Sequence, residues 1–250
     1  LSSLKSFYDY YFKKNLIRTN PPRQVDVPKI KNKNIIRLDP NEIAQLLDEA
    51  ESGEKLSGRQ LASHEKTKVR DVAILTLLLG TGIRVSECVG LNLEDVDFNN
   101  GAIRIIRKGG NEALIYFGDE VSQALEAYMN GPRKTAEPAA GHEEALFISL
   151  NKTRITTRSV ERLVKKYSRL VTTVKKITPH KLRSTFGTAL YQETGDIYLV
   201  ADTLGHKLPF RTEALQFTPP RNIMQPSMNI DAGWLLMLSN SGKAEFETGC

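Results

Sequence analysis

Cysteine and long apolar runs are both scarce in this chain of 250 residues. The two cysteines, Cys88 and Cys250, lie far apart, so they do not form the closely spaced pairs that bind zinc. The longest apolar block, residues 72–79, is too short to cross a membrane, and the N-terminus lacks the pattern of a signal peptide. The sequence therefore predicts neither a cysteine-based metal site nor a membrane protein, and it fits a reducing compartment.

Tyrosine is missing from the C-terminal part of the chain. The eight tyrosines are Tyr8, Tyr10, Tyr11, Tyr116, Tyr128, Tyr167, Tyr191 and Tyr198. All of them precede His206, so residues 207–250 offer no phenol hydroxyl. Chemistry that needs a tyrosine nucleophile close to the C-terminus is therefore excluded for this sequence.

Acidic residues are outnumbered by basic ones, which favours an anionic partner. Lysine and arginine total 35 against 29 aspartates and glutamates, so the net charge is +6 at pH 7. Many basic residues fall within one region: Arg158, Arg162, Lys165, Lys166, Arg169, Lys175, Lys176, Lys181 and Arg183. Such a run fits a nucleic-acid-binding surface and a solvated helical face equally well, and charge alone does not separate the two.

Two segments precede the main domain in the sequence. Residues 2–17 have apolar side chains three and four positions apart, which predicts an amphipathic helix, and Pro21 and Pro22 break it. Residues 23–37 are basic and polar, which is typical of a linker. The helix has no partner helix before it in the sequence, so we expect it to be the last element of a domain that begins elsewhere.

A second domain is predicted to begin near Leu38, mainly helical with one small antiparallel β-sheet. Asp39 is a suitable N-cap and Pro40 fits the first helical position. Helices are predicted at residues 68–79, 84–91, 120–129, 157–172, 179–194 and 197–204, and strands at residues 96–98, 102–106 and 113–117. From Leu208 onward, prolines interrupt every periodic pattern, and no secondary structure is assigned there.

A histidine and an arginine lie three residues apart at the start of a predicted helix. Thr178 is a suitable N-cap and Pro179 fits the first helical position. His180 and Arg183 then lie on one face of the first turns. A helix N-terminus favours phosphate, and arginine binds phosphate bidentately, so this pair is a candidate phosphate site. A second histidine, His206, follows one predicted helix later.

Arg84 and Lys108 are two further candidates, and each has a simpler alternative. Arg84 follows the helix break at Gly80 and Gly82, which exposes it at the next helix start, where Glu87 is placed to hold its guanidinium. Lys108 lies at a predicted hairpin turn, from which a flexible lysine reaches a ligand. Taken alone, Arg84 also fits an ordinary surface arginine, and Lys108 also fits an ordinary turn lysine. His180 and His206 each also fit a capping or packing role.

The order and spacing of these motifs are more specific than any one of them. The motifs are Thr81-Gly82-Ile83-Arg84-Val85-Ser86-Glu87, Arg107-Lys108-Gly109, His180-Lys181-Leu182-Arg183 and Leu204-Gly205-His206. In this order they resemble the tyrosine recombinase family, which includes phage integrases, Xer-type recombinases and conjugative-transposon integrases. The resemblance extends from the start of the chain to His206.

The resemblance implies a role for each candidate in DNA strand cleavage. In the family, a tyrosine attacks a DNA phosphodiester, forms a 3′-phosphotyrosyl link and releases a 5′-hydroxyl. By resemblance, Arg84 and Arg183 bind the non-bridging oxygens, and His206 donates to the same phosphate. His180 would assist proton transfer at the tyrosine, and Lys108 would be the general acid for the leaving 5′-oxygen.

The resemblance also implies the partners of the chain. Glu87 matches the family's acidic position beside the first arginine, which implies a supporting role. The family needs no metal and no nucleotide cofactor, because its cations are side chains and the covalent link retains the energy of the broken bond. Its members act on double-stranded DNA as homo-tetramers. For this chain, DNA recombination or integration by a mobile element in a bacterial cytoplasm is expected.

A division of the chain follows from the same resemblance. Residues 1–18 would be the last helix of a core-binding domain whose earlier part is missing from the sequence, and residues 19–38 a basic linker. Residues 39–207 would be the catalytic domain, mainly α with a small antiparallel β-sheet. Residues 208–250 form a tail that departs from the family's pattern.

The nucleophile that the family requires is not found. A tyrosine is expected near Leu215 and Phe217, but Phe217 is the closest aromatic residue there and has no hydroxyl. Three explanations are open: a reading-frame change just after His206, which we prefer, a naturally divergent tail, and a deliberately altered sequence. Read one nucleotide later, the codons for residues 212–216 can spell Arg-Lys-His-Tyr. In all three cases we expect this polypeptide not to cleave DNA by itself, so a non-catalytic DNA-binding regulator is the alternative function.

Overall fold

The computed structural model of the chain describes residues 2–25, 36–107 and 109–205. The chain separates into two compact units, Leu1–Ile35 and Ile36–Cys250. Most of the predicted linker, Lys108 and the whole C-terminal tail lie outside the described residues.

The described residues of the first unit form one helix and a short turn. Helix α1 (Ser2–Lys13) is the predicted amphipathic helix, but it ends at Lys13 rather than at residue 17. The chain leaves the helix because Asn15 takes a left-handed φ of 55°. Asp9 accepts hydrogen bonds from Asn20 Nδ2 at 2.7 Å and from Arg23 Nε at 2.9 Å, which fasten the turn to α1.

The second unit is mainly helical, as predicted. Its helices are α2 (Pro40–Ser52), α3 (Gly58–His64), α4 (Lys68–Thr81), α5 (Val85–Gly90), α6 (Asp119–Tyr128), α7 (Thr157–Val171), α8 (Pro179–Thr194) and α9 (Ile197–Thr203). Its strands are β1 (Val96–Asp97), β2 (Ala102–Ile106) and β3 (Glu112–Tyr116). None of the helices in the described ranges combines the length and the apolar character that a membrane crossing requires.

Helix α4 is the centre of the core, because apolar side chains cover it on nearly every side. Residues 73–79 of α4 are all buried, and α2, α6, α7 and α8 pack around the helix. The glycine predicted to end it, Gly82, takes φ 62° and closes the last turn with its N–H on Leu78 O at 3.1 Å. Cys88 is buried in the same core, as predicted, and burial raises the pKa of its thiol to about 12.

The small sheet is antiparallel with strand order β1-β2-β3 within the described residues. Ile103 pairs with Ile115, and both face the core. The opposite face is exposed and carries Arg104, whose guanidinium contacts Asp95 at 2.9 Å. The N–H of Arg107 donates a hydrogen bond to Asn111 O at 2.8 Å and closes the turn between β2 and β3. The backbone of Arg107 is therefore fixed where the turn begins.

Helix α3 and the turn that follows α6 were not predicted from the sequence. Helix α3 is short, and its seven residues lack a clear apolar period. Residues Met129–Arg133 form a π-helical turn in which Gly131 leaves helical geometry and Pro132 follows. Arg133 holds this turn by donating from Nε to Ala145 O at 2.9 Å, a contact that no local pattern encodes.

A buried polar network ties α3, α4 and α7 together. The Tyr167 hydroxyl donates to Asp71 Oδ2 at 3.0 Å and accepts from His64 Nδ1 at 3.0 Å. Thr67 donates to the same carboxylate oxygen at 3.0 Å, and Lys166 Nζ lies 3.1 Å from the tyrosine hydroxyl. Burial, followed by the Asp71 charge, raises the pKa of Tyr167, so the phenol stays neutral and can donate.

Tyr167→Phe is expected to lower the free energy of unfolding by about 1–3 kcal/mol, because Asp71 and His64 each lose a buried partner. Chemical denaturation monitored by circular dichroism measures the change. Tyr191→Phe is the matched control, since Tyr191 is 47% exposed and should shift the stability by no more than about 0.5 kcal/mol. Equal stabilities for both variants would contradict a stabilising role for the network.

Candidate functional site

The first arginine of the site, Arg84, lies in the turn between α4 and α5. Arg84 occupies the N-cap position of α5 in extended geometry, directly after the turn at Gly82. Its N–H donates to Glu87 Oε2 at 2.7 Å, and its Nη1 donates to Glu87 Oε1 at 2.7 Å. The Glu87 side chain is 4% exposed and the Arg84 side chain 36% exposed. A buried carboxylate therefore holds the guanidinium from behind and leaves part of it open, as predicted for this pair.

The second arginine, Arg183, is buried and tied to two other elements. From the second turn of α8, its Nη1 donates to Gly82 O at 2.5 Å. Its Nη2 donates to Leu204 O, at the end of α9. Arg183 therefore joins the end of α4 to the end of α9, and it brings the motif that contains Gly82 against the motif that contains Leu204.

The electrostatics of the cluster favour an anion. The pKa of Arg183 is lowered to about 10, chiefly by burial and then by repulsion from Arg84 and Arg107, while Glu87 opposes the shift. The guanidinium remains charged at neutral pH, since its pKa is still well above 7. Positive charge therefore exceeds negative charge around Arg183, and an anion bound beside Arg84 and Arg183 would relieve the repulsion between them.

Helix α8 begins as predicted at Pro179, but its N-cap works differently from the prediction. Thr178 has the extended geometry of an N-cap, yet its side chain makes no capping hydrogen bond to any described residue. Its carbonyl oxygen instead accepts the N–H groups of Lys181 at 2.8 Å and Leu182 at 3.1 Å. His180 is exposed on this first turn, so the structure leaves it accessible on the helix that carries the buried Arg183.

Lys108 and His206 both border described residues of the cluster. Lys108 and His206 lie outside the described residues, and so does the segment around Phe217 where the tyrosine is expected. Their chain neighbours Arg107 and Gly205 lie against each other, and Arg107 also donates to the last turn of α9. The structure therefore brings the flanking positions of these two candidates together with Arg84 and Arg183.

The basic region of residues 158–183 divides into two parts. One part is a stripe on the exposed face of α7, at spacings of four, three and four: Arg158, Arg162, Lys165 and Arg169. The other part stabilises the fold: Lys175 Nζ contacts Glu42 at 2.5 Å, and Lys166 faces Tyr167. The α7 stripe therefore presents four exposed cations on one helical face, and the DNA contact of the whole run stays a prediction.

Comparisons by sequence give two consistent results. The model of the phage integrase family matches residues 36–213. The tyrosine recombinase XerC of Thermodesulfovibrio yellowstonii is 36% identical over 208 residues, which cover 82% of this chain and 65% of the relative. The XerC of Vibrio cholerae (El Tor Inaba N16961) is 30% identical over 207 residues, with 83% and 62% covered. The chain thus spans slightly less than two thirds of the length of these relatives.

Comparisons by structure agree on the fold. The crystal structure of XerA recombinase covers 97% of this chain and 75% of its own, with 23% identity and a TM-score of 0.59. The Tn1549 transposon integrase in complex with circular intermediate DNA covers 83% and 70%, with 25% identity and a TM-score of 0.59. These neighbours confirm the predicted mainly helical fold with a small antiparallel sheet. With the arginine pair of the site assembled on that fold, the chain belongs to the phage integrase family, with a tyrosine recombinase catalytic domain.

Proposed function

We propose that this chain binds double-stranded DNA as the catalytic domain of a site-specific recombinase or integrase. The observation that carries the proposal is the pair Arg84 and Arg183, which meet at the Gly82 turn with Glu87 behind them. A phosphodiester is the anion that suits this pair, because two guanidinium forks match its two non-bridging oxygens. The bacterial relatives and the transposon integrase support a role in a bacterial cytoplasm, within a mobile element that integrates or excises DNA.

Each remaining candidate has a step in the proposed chemistry. The transition state of cleavage gathers negative charge on the phosphate, and Arg84 and Arg183 would stabilise that charge in a partly buried site. His206 would donate to the same phosphate, and His180 would assist proton transfer at the nucleophile. Lys108 would protonate the leaving 5′-oxygen. Domain limits of 1–18, 19–38, 39–207 and 208–250, and a tetramer on DNA, are part of the same proposal.

A second candidate function is a DNA-binding regulator that does not cut. The observation that favours it is the absence of tyrosine after Tyr198. The cluster would then bind a phosphate without attacking it. Sequencing the gene across the codons for residues 206–217 distinguishes a frameshifted tail from a naturally divergent one. An in-frame tyrosine after correction of one frameshift favours the enzyme. An unbroken reading frame favours the regulator.

DNA binding by this chain is expected to weaken steeply with salt, because cations released from DNA drive the association. Arg162→Gln, in the middle of the α7 stripe, should reduce the magnitude of the salt slope by about 0.9, the value for one phosphate contact. Fluorescence anisotropy with a short duplex of random sequence, titrated at several salt concentrations, measures the slope.

The control for this prediction removes the same charge elsewhere. Lys55, which follows α2, already pairs with Glu49 of that helix at 2.7 Å, so Lys55→Gln should leave the slope unchanged. An equal change of slope in both variants would show that net charge, rather than the α7 stripe, determines binding. Salt-independent binding of the unaltered chain would contradict binding through phosphate neutralisation, and absence of binding at low salt would reject the DNA-binding function itself.

A further inference from the structure

The side chain of Arg107 joins the β2–β3 hairpin to the end of α9. Its Nη1 donates to Asp202 O at 3.3 Å, and its Nη2 donates to Thr203 O at 3.0 Å. These carbonyls belong to the last turn of α9, where backbone acceptors lack partners within the helix and the dipole favours a cation. The planar guanidinium satisfies two of them at once, whereas a lysine would supply one point charge.

Gly205 lies directly against the guanidinium of Arg107. It takes φ 60°, and a Cβ built there would lie 2.3 Å from Arg107 Nη1. The left-handed backbone favours glycine, and a side chain at this position would have to displace the guanidinium. The N–H of Gly205 donates to Asp202 O at 2.8 Å, so the same carbonyl accepts from both residues.

The segment that Arg107 holds is also the segment that binds Arg183. Leu204, between Thr203 and Gly205, offers its carbonyl oxygen to Arg183 Nη2. Arg107 thus fixes an acceptor that orients a buried guanidinium of the phosphate cluster. The two arginines approach α9 from elements far apart in the sequence, the hairpin and α8.

We propose that Arg107 is a positioning residue of the phosphate site, which acts by locking the last turn of α9 and thereby orienting Arg183. This inference rests on the proposed function, because it takes the Arg84 and Arg183 cluster to be a phosphate site. It assigns a task to a residue that the motif pattern singles out only as the neighbour of Lys108. Arg107 acts through Leu204 and Arg183 and does not itself bind the phosphate.

The experiment compares Arg107→Gln and Arg107→Lys with Arg104→Gln in the full chain. Arg104 is the matched control, because it lies on the same hairpin but faces outward and pairs with Asp95 at 2.9 Å. Amide hydrogen exchange reports on the N–H groups of Leu204 and Gly205, which are hydrogen-bonded in the intact structure. Calorimetric titration with inorganic tungstate, a tetrahedral dianion, reports on the phosphate site.

The expected result has two parts. Arg107→Gln should speed exchange at these two amides and weaken tungstate binding roughly tenfold, since Arg183 loses its fixed acceptor. Arg107→Lys should restore little of the amide protection or of the tungstate affinity, because lysine keeps the charge but lacks the planar guanidinium that binds two carbonyls. Arg104→Gln should change neither, and unchanged exchange in α4 would show that every variant is folded.

Three other outcomes would overturn the inference, and they differ from one another. Normal exchange and normal tungstate affinity in Arg107→Gln would show that α9 is held without Arg107, and the proposed function would stand. Weaker tungstate binding with normal exchange would show that Arg107 contacts the anion directly. Absence of both tungstate and DNA binding by the unaltered chain would reject the proposed function and the positioning role together.

Discussion

Arg183→Ala is expected to weaken DNA binding by about 2 kcal/mol, roughly 30-fold, because a charge-assisted hydrogen bond to phosphate contributes on this scale. It should also reduce the magnitude of the salt slope by about 0.9, since one phosphate contact is lost. The effect should exceed that of any single residue of the α7 stripe, because Arg183 is buried and held by Gly82 O and Leu204 O. Anisotropy titrations at several salt concentrations measure both quantities.

The comparison with Arg183→Lys separates charge from geometry. Lysine keeps the positive charge, so the salt slope should be retained, but it lacks the fork that bridges two carbonyls, so the affinity should still fall. Lys55→Gln removes one exposed charge outside the α7 stripe and controls for net charge. A loss of affinity in Arg183→Ala with an unchanged salt slope would argue against a phosphate role.

Gly82→Ala is expected to lower the free energy of unfolding by about 3 kcal/mol and to disturb the site as well. A left-handed backbone costs a residue with a Cβ about 1–2 kcal/mol, and overpacking a core adds about 1–3 kcal/mol. Gly82 has φ 62°, and a Cβ there would meet Phe186 Cδ1 at 2.3 Å. The carbonyl of this residue accepts from Arg183 Nη1, so DNA affinity should fall together with stability.

Gly58→Ala is the matched control for this substitution. Gly58 is the first residue of α3, and no atom lies within 4 Å of a Cβ built there. Alanine should leave stability unchanged or raise it by about 0.5–1 kcal/mol, because it restricts the unfolded chain. Denaturation of both variants measures the difference, and equal stabilities would contradict the proposed constraint at Gly82.

Helix boundaries were predictable where start and stop signals are local. Helix α8 runs from Pro179 to Thr194 as predicted, because proline fits its first position and Gly195 ends it with φ 66°. The predicted N-cap of α2 forms, with Glu42 N–H on Asp39 Oδ1 at 3.0 Å. The pairing of Arg84 with Glu87 was also predictable, since the two residues are one helical turn apart.

The remaining geometry depends on contacts that no local pattern encodes. The carbonyl partners of Arg183 lie 101 and 21 residues away in the chain, so their approach follows from the packing of α4, α8 and α9. Arg107 was visible only as part of the motif with Lys108, and its reach across 96 residues to Thr203 had no sequence signal. The catalytic roles of the site residues and the domain limits remain predictions.

The central claim is that this chain binds a phosphodiester but has no nucleophile to attack it. The most direct measurement is a suicide-substrate assay with nicked duplexes that trap a covalent protein–DNA adduct, resolved under denaturing conditions and paired with native binding on the same duplexes. The account predicts a salt-sensitive native complex and no covalent adduct. A covalent adduct formed by this chain would contradict it.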